Sequence, residues 1–154
     1  MREFKDTKGN VVTFDQIRDT ILEDENHEYE IFVGSDSQVH KKIKKVIYST
    51  CIILYKKGKG GRVFICRERE RYANSLRERL MKETWRSIEA AFELKEIMPS
   101  WIELVVHVDV NKKKKWKSSQ YLEELVGMVV GQGFKFAVKP TAWAAQSVAD
   151  KFAR

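Results

Sequence analysis

Glu30-Ile31-Phe32-Val33-Gly34-Ser35-Asp36 is the stretch from which the architecture can be worked out. It is short, dominated by apolar residues and closes on a carboxylate, as a buried strand does where its end reaches water. A second run of the same build, Val106-His107-Val108-Asp109-Val110-Asn111, stands further along the chain and again reaches an aspartate near its end. What lies between and beyond decides whether the two become neighbours.

Directly after the first run, Lys45 to Tyr55 forms a longer β-branched stretch, and Lys56-Lys57-Gly58-Lys59-Gly60-Gly61 makes a glycine-rich turn into a third strand, Arg62 to Arg67. Three consecutive strands with short connections make an antiparallel meander. The apolar period then changes to that of a helix from Ala73 to about Met98, where Pro99 stops it. Trp101 to Val110 returns to strand, Ser118 to Val130 is a helix ending near Gly131 and Gly133, Phe134 to Lys139 is the last strand and Thr141 to Phe152 the last helix. Upstream, Thr13 and Gln16 have the form of a capping box, so a short helix is expected from Phe14 to about Glu23. The order β-β-β-α-β-α-β-α describes an α/β fold with a mixed five-stranded sheet and helices on both faces. Right-handed crossovers make its first, fourth and fifth strands parallel neighbours. Residues 1–28 are read as an N-terminal helical extension and residues 29–154 as one domain.

The 154 residues are enough for one domain with a substantial core. A hydrophobic content of 43% and a charged content of 33% exclude a disordered tail, and no apolar run is long enough to span a bilayer. Met1 to Asn10 is polar, unlike a signal peptide, so the cytoplasm is the expected location. Cys51 and Cys66 lack the paired spacing of a zinc or redox motif and are read as reduced core residues. The net charge of +7 is unevenly placed: Lys41, Lys42, Lys44 and Lys45 form one cluster, Lys56, Lys57, Lys59 and Arg62 another, and Lys112, Lys113, Lys114 and Lys115 with Lys117 a third. Such clusters favour polyanions such as nucleic acid through release of condensed counterions, or else they are solvated loops of a lysine-rich protein. Trp116 follows the third cluster directly and could stack on a base while the lysines meet phosphates, or simply anchor its loop.

The chemistry is expected at the carboxyl ends of the parallel strands. Side by side, Asp36 and Asp109 would repel unless a proton or a hard divalent ion sat between them; the alternative is that each caps a turn. On the long helix the apolar arc includes Leu76, Leu80, Thr84, Ser87, Ile88, Ala91 and Leu94, and Glu83 falls at its border, either turned toward the sheet or paired with Arg79 or Arg86. Glu78, Glu89, Glu93 and Glu96 project away from the arc. Asp150 lies at the flank of the arc made by Ala142, Ala145, Val148, Ala149 and Phe152. His40, His107 and Asn111 are placed around the carboxylates, and a mixed histidine and carboxylate site is an alternative because His107 and Asp109 share a strand face.

The element order, with Val33-Gly34-Ser35-Asp36-Ser37-Gln38-Val39-His40, Asp109-Val110-Asn111, Gly131-Gln132-Gly133-Phe134 and Lys139-Pro140-Thr141-Ala142-Trp143-Ala144-Ala145, resembles the ribonuclease H-like superfamily. More closely, it resembles the small bacterial YkuK-type branch of that superfamily, over approximately Tyr29 to Arg154. The resemblance implies phosphodiester hydrolysis or transfer on RNA, DNA or a hybrid, with two magnesium or manganese ions about 3.5–4 Å apart, one activating water and the other stabilising the leaving oxygen. It implies further that Asp36 bridges both ions while Glu83, Asp109 and Asp150 complete their shell. In many members the last acidic residue opens or lies early in its helix, whereas Asp150 sits late. The branch is nuclease-like by resemblance more than by demonstrated reaction. A non-catalytic nucleic-acid-binding module and a hydrolase of smaller phosphorylated molecules are the competing functions.

Overall fold

Strand β3 (Glu30–His40) runs through the middle of a sheet and has a different kind of neighbour on each edge. A computed structural model describes residues 2–23, 29–56, 59–72, 75–111 and 117–139. In chain order its elements are β1 (Phe4–Lys5), β2 (Val11–Val12), α1 (Phe14–Leu22), β3, β4 (Lys45–Lys56), β5 (Gly60–Arg71), α2 (Leu76–Ile97), β6 (Leu104–Asn111), α3 (Leu122–Gly131) and β7 (Lys135–Lys139). The sheet order is β2-β1-β5-β4-β3-β6-β7. The β3–β4–β5 meander is antiparallel, whereas β3, β6 and β7 are parallel, as right-handed crossovers through α2 and α3 require.

Among the described residues the sheet has seven strands where the sequence pattern implies five. The two additional strands are two residues long, below any detectable period, and they exist because a turn is fixed locally. Asp6 accepts hydrogen bonds from the backbone N–H groups of Lys8 and Asn10, and Gly9 takes φ 89°, a conformation open to glycine. Lys5 then pairs with Ile65 of β5. The N-terminal segment is therefore not only helical. Phe4, together with Ile17 and Ile21 of α1, packs in the same core as Ile31, Val33, Ile52, Leu54 and Leu94. Helix α1 begins at a complete capping box between Thr13 and Gln16.

Strand lengths also depart from the pattern. β3 continues past Asp36 to His40, because its edge toward β4 stays paired as far as His40 and Lys45, and β5 runs on to Arg71 opposite Lys45. Helix α2 starts at Ser75, whose Oγ accepts from Glu78 N–H, and presents Leu80, Glu83, Thr84, Ser87, Ile88, Ala90, Ala91 and Leu94 inward. It lies over β3, β4 and β6 and is shared by the two largest apolar clusters, the second of which includes Val106, Val108, Val110, Leu125 and Val129. A short 3-10 turn (Lys117–Tyr121) leads into α3. Cys51 and Cys66 are buried and not joined in a disulfide, Cys51 beside Ile53 and Ile65 on the other face of the sheet. No helix among the described residues is long and apolar enough to cross a membrane. The helix expected from Thr141 to Phe152 lies outside the described residues.

Candidate metal centre

Hydrogen-bonded pairing between β3 and β6 ends at Gly34 and His107. Asp36 and Asp109 stand two residues beyond that pair on their respective strands, level with one another where the ladder has stopped. What ends beside Asp36 is thus the parallel ladder and not the strand itself. Asp109 also falls within an irregularity in the β6–β7 pairing, between Val108 and Asn111. Strand alternation turns Ser35 and Ser37 toward α2 and Asp36 away from it. Ser35 Oγ lies 2.7 Å from Ser87 Oγ and donates to Thr50 Oγ1 at 3.0 Å, which ties β3, β4 and α2 together one helical turn from Glu83.

Glu83 comes from α2 to the same place, and one carboxylate oxygen from each of Asp36, Glu83 and Asp109 lies within 4.8 Å of the other two. Only 2% of Glu83 is exposed, so it belongs to the inward face of the helix and not to the border of its apolar arc. Arg86 does not pair with it. That guanidinium lies over the Tyr48 ring at 4.1 Å and is held by Glu68 and Glu70 of β5. Glu83 Oε1 accepts from Ser37 Oγ at 3.0 Å, and Ser37 Oγ in turn accepts from Arg79 Nε at 3.2 Å. Glu83 Oε2 is buried and has no hydrogen-bond partner among the described residues. Burial, and then the negative charges of Asp109 and Asp36, push the Glu83 carboxyl well above its ordinary range, with Ser37 and Arg79 opposing. Asp36 Oδ1 accepts from Ser37 N–H at 2.8 Å.

Among the described residues the metal-capable group is these three carboxylates, and neither His40 nor His107 joins it. His107 is 2% exposed and packs against the Phe32 ring at 4.9 Å. Burial lowers its pKa to about 4, so the imidazole is neutral at physiological pH. His40 lies on the same strand face as Asp36, nearer the hairpin tip, where Lys41 and Lys42 are exposed in a 3-10 turn (Lys41–Ile43). Glu93 and Glu96 are exposed as the helical wheel implies, but Glu89 is ion-paired to Arg2 and Glu78 to Lys82. Lys112, Lys113, Lys114, Lys115, Trp116 and Asp150 lie outside the described residues, and of Asn111 only the backbone is described, as the end of β6.

Two features escape a reading of the sequence. Ser37 is an unremarkable hydroxyl until its face is known, and its one signal is its place next to Asp36 with the opposite orientation. Arg67-Glu68-Arg69-Glu70-Arg71 does carry a visible signal, a strict two-residue alternation of charge, but an end of the strand at Arg67 hides it.

A family model described as Ribonuclease H-like matches residues 12–154. The chain is also 26% identical over 157 residues, covering 91% of its length and 88% of the relative's, to the uncharacterized protein YkuK of Bacillus subtilis (strain 168).

Proposed function

Since the chain belongs to the ribonuclease H-like family, we propose that Asp36, Glu83 and Asp109 hold divalent magnesium or manganese and that the protein hydrolyses phosphodiester bonds in RNA, DNA or a hybrid. The observation that carries this reading is Glu83. A carboxylate that is 2% exposed, faces two further carboxylates and keeps one buried oxygen without a hydrogen-bond partner among the described residues is poorly served by the protein alone. Three converging carboxylates offer the hard oxygen donors that such cations prefer, so the residues fit the group. When bound, the cation would activate water and stabilise the leaving oxygen.

The chain's own part is to hold the ligands still. Ser37 fixes Glu83 Oε1 and is itself fixed by Arg79, while its backbone N–H orients Asp36. Partners that orient metal ligands in this way typically govern affinity by about 10–100-fold. Asp150 as a further ligand, a second ion, and Lys41, Lys42, the Lys112 to Lys115 run and Trp116 as nucleic-acid contacts rest on the family resemblance and on charge. A substrate polyanion makes three adjacent carboxylates a liability unless a cation accompanies them, which favours the enzyme over a pure binding module.

The test is cleavage of a labelled oligonucleotide with manganese. Asp109→Asn, and equally Asp36→Asn, should abolish cleavage and weaken manganese binding while leaving oligonucleotide affinity in place, since cationic residues dominate binding. Glu93→Gln, on the exposed side of α2, should change nothing. Unaltered cleavage in both aspartate variants would refute the metal site, and no cleavage by the parent with any oligonucleotide would return the domain to a binding role.

A further inference from the structure

The two faces of β5 are neutralised unequally. On the face toward α2, Glu68 and Glu70 are engaged by Arg86, Lys82 and Arg2. On the opposite face Arg67, Arg69 and Arg71 are exposed, and Arg69 and Arg71 have no ion pair or side-chain hydrogen bond among the described residues. Pairing across the sheet shows what these arginines stand beside. Arg67 is opposite Ser49, which is opposite Asp36; Arg69 is opposite Ile47, then Gln38; Arg71 is opposite Lys45, then His40. Antiparallel partners share a face, so the arginine stripe lies on the same side of the sheet as Asp36, with Arg67 in its row. Two strand spacings separate Arg67 from Asp36, roughly 10 Å between backbones.

From this register we infer that Arg69 and Arg71, continued by Arg67 toward Asp36 and by Lys45 at the hairpin end, form a track for the phosphate backbone of a nucleic-acid strand that leads to the carboxylate cluster. The inference rests on the proposed nuclease reading and names the surface that positions its substrate. Alternate residues of a strand are roughly 6.8 Å apart, so the stripe sets its guanidinium groups at a regular interval along one line. Guanidinium groups suit that role because they bind phosphate oxygens in bidentate geometry. Past the single Lys5–Ile65 pair, no strand among the described residues covers the outer edge of β5, so a backbone laid there is not obstructed by the sheet.

The competing explanation is that the arginines merely guard an exposed strand edge against self-association. The experiment uses the full chain, a labelled single-stranded oligonucleotide and a salt series, comparing the parent with Arg69→Gln/Arg71→Gln. A control, Arg18→Gln/Arg77→Gln, removes two arginines already paired to Asp15 and Asp19 and to Glu124. At about 0.7 per single-strand phosphate contact, the log-log salt slope should fall by roughly 1.4 in the first variant and stay at the parent value in the control. Manganese binding and melting temperature should be unchanged in both, which shows that the fold and the carboxylates are intact. A parent slope in Arg69→Gln/Arg71→Gln overturns the track, whether or not that variant aggregates. So does equal competition by an acidic peptide of matched charge, and so does a parent that binds no oligonucleotide. Loss of slope without cleavage by the parent would keep the track and sink the nuclease reading, whereas cleavage with an unchanged slope would do the reverse.

Discussion

Glu83 is an ionisable group placed where ionisation is costly, and the consequence is a stability that depends on pH. In the unfolded chain its carboxyl titrates near its ordinary value, whereas burial and the charges of Asp109 and Asp36 raise it well above that in the fold. The folded protein without metal therefore favours the protonated form. The stability associated with this group is fully present below the ordinary glutamate range and is lost as pH rises through the raised value, by up to about 1.4 kcal/mol per pH unit. His107 acts with the opposite sign: its pKa of about 4 means that its contribution is present above about 6.5 and lost as pH falls. Urea unfolding in chelator, with Glu83→Gln as the reference that cancels His107, isolates the glutamate from its ordinary range upward. There the parent should lose stability relative to Glu83→Gln as pH rises, and manganese should restore the parent alone. Parallel pH profiles for the two proteins would show that Glu83 is not strained by its neighbours. At this scale the aspartates are legible in the sequence, because each follows an apolar run and the right-handed crossovers bring those two runs side by side. Glu83 is legible only as a border residue, since a helical wheel gives its angle relative to Leu76 and Leu80 but not the depth at which α2 sits on the sheet.

Helix α2 can place Glu83 only if it is keyed to β3, and the buried hydroxyls of Ser35, Thr50 and Ser87 are that key. Ser35 Oγ bonds to both of the others, so removing Ser87 takes one of its two hydrogen bonds in the dry space between helix and sheet. Ser87→Ala should cost about 0.5–1.5 kcal/mol of unfolding free energy and weaken manganese binding as well, because Glu83 lies one turn away on the same helix. Urea melts and a manganese titration measure the two effects, and a variant within about 0.5 kcal/mol of the parent would show that apolar packing alone seats α2. The elements themselves are largely readable: α1 and α2 have local caps, at Thr13 and Ser75, and Pro99 closes the latter's pattern. The extents of β3 and β5 are not, since polar residues such as Gln38, Arg69 and Arg71 remain in strand only because a neighbouring strand pairs with them. The same holds for β1 and β2, which owe their strand conformation to the edge of β5 and to a turn built around Asp6.

Taken as a whole, the molecule brings negative charge together at one place on a chain whose net charge is +7, and a bound cation should stabilise it globally. Manganese at about 100 times its dissociation constant should raise stability by about 2.7 kcal/mol, a shift of several degrees in melting temperature that chelator reverses and Asp109→Asn diminishes. No shift at millimolar manganese would remove the cation from the account. The sequence by itself determined the α/β class, the order of the central elements and the placing of Asp36 and Asp109 on neighbouring parallel strands. Each of these is written in neighbouring residues, as a period, a cap or a turn, and needs no knowledge of distant partners. Only the tertiary structure decided that Glu83 converges on Asp36 and Asp109, that Ser37 holds it, and that Arg67, Arg69 and Arg71 share a face with Asp36. Those facts depend on strand register, in which a slip of one residue turns every side chain to the other face, and register is fixed by packing across the whole sheet.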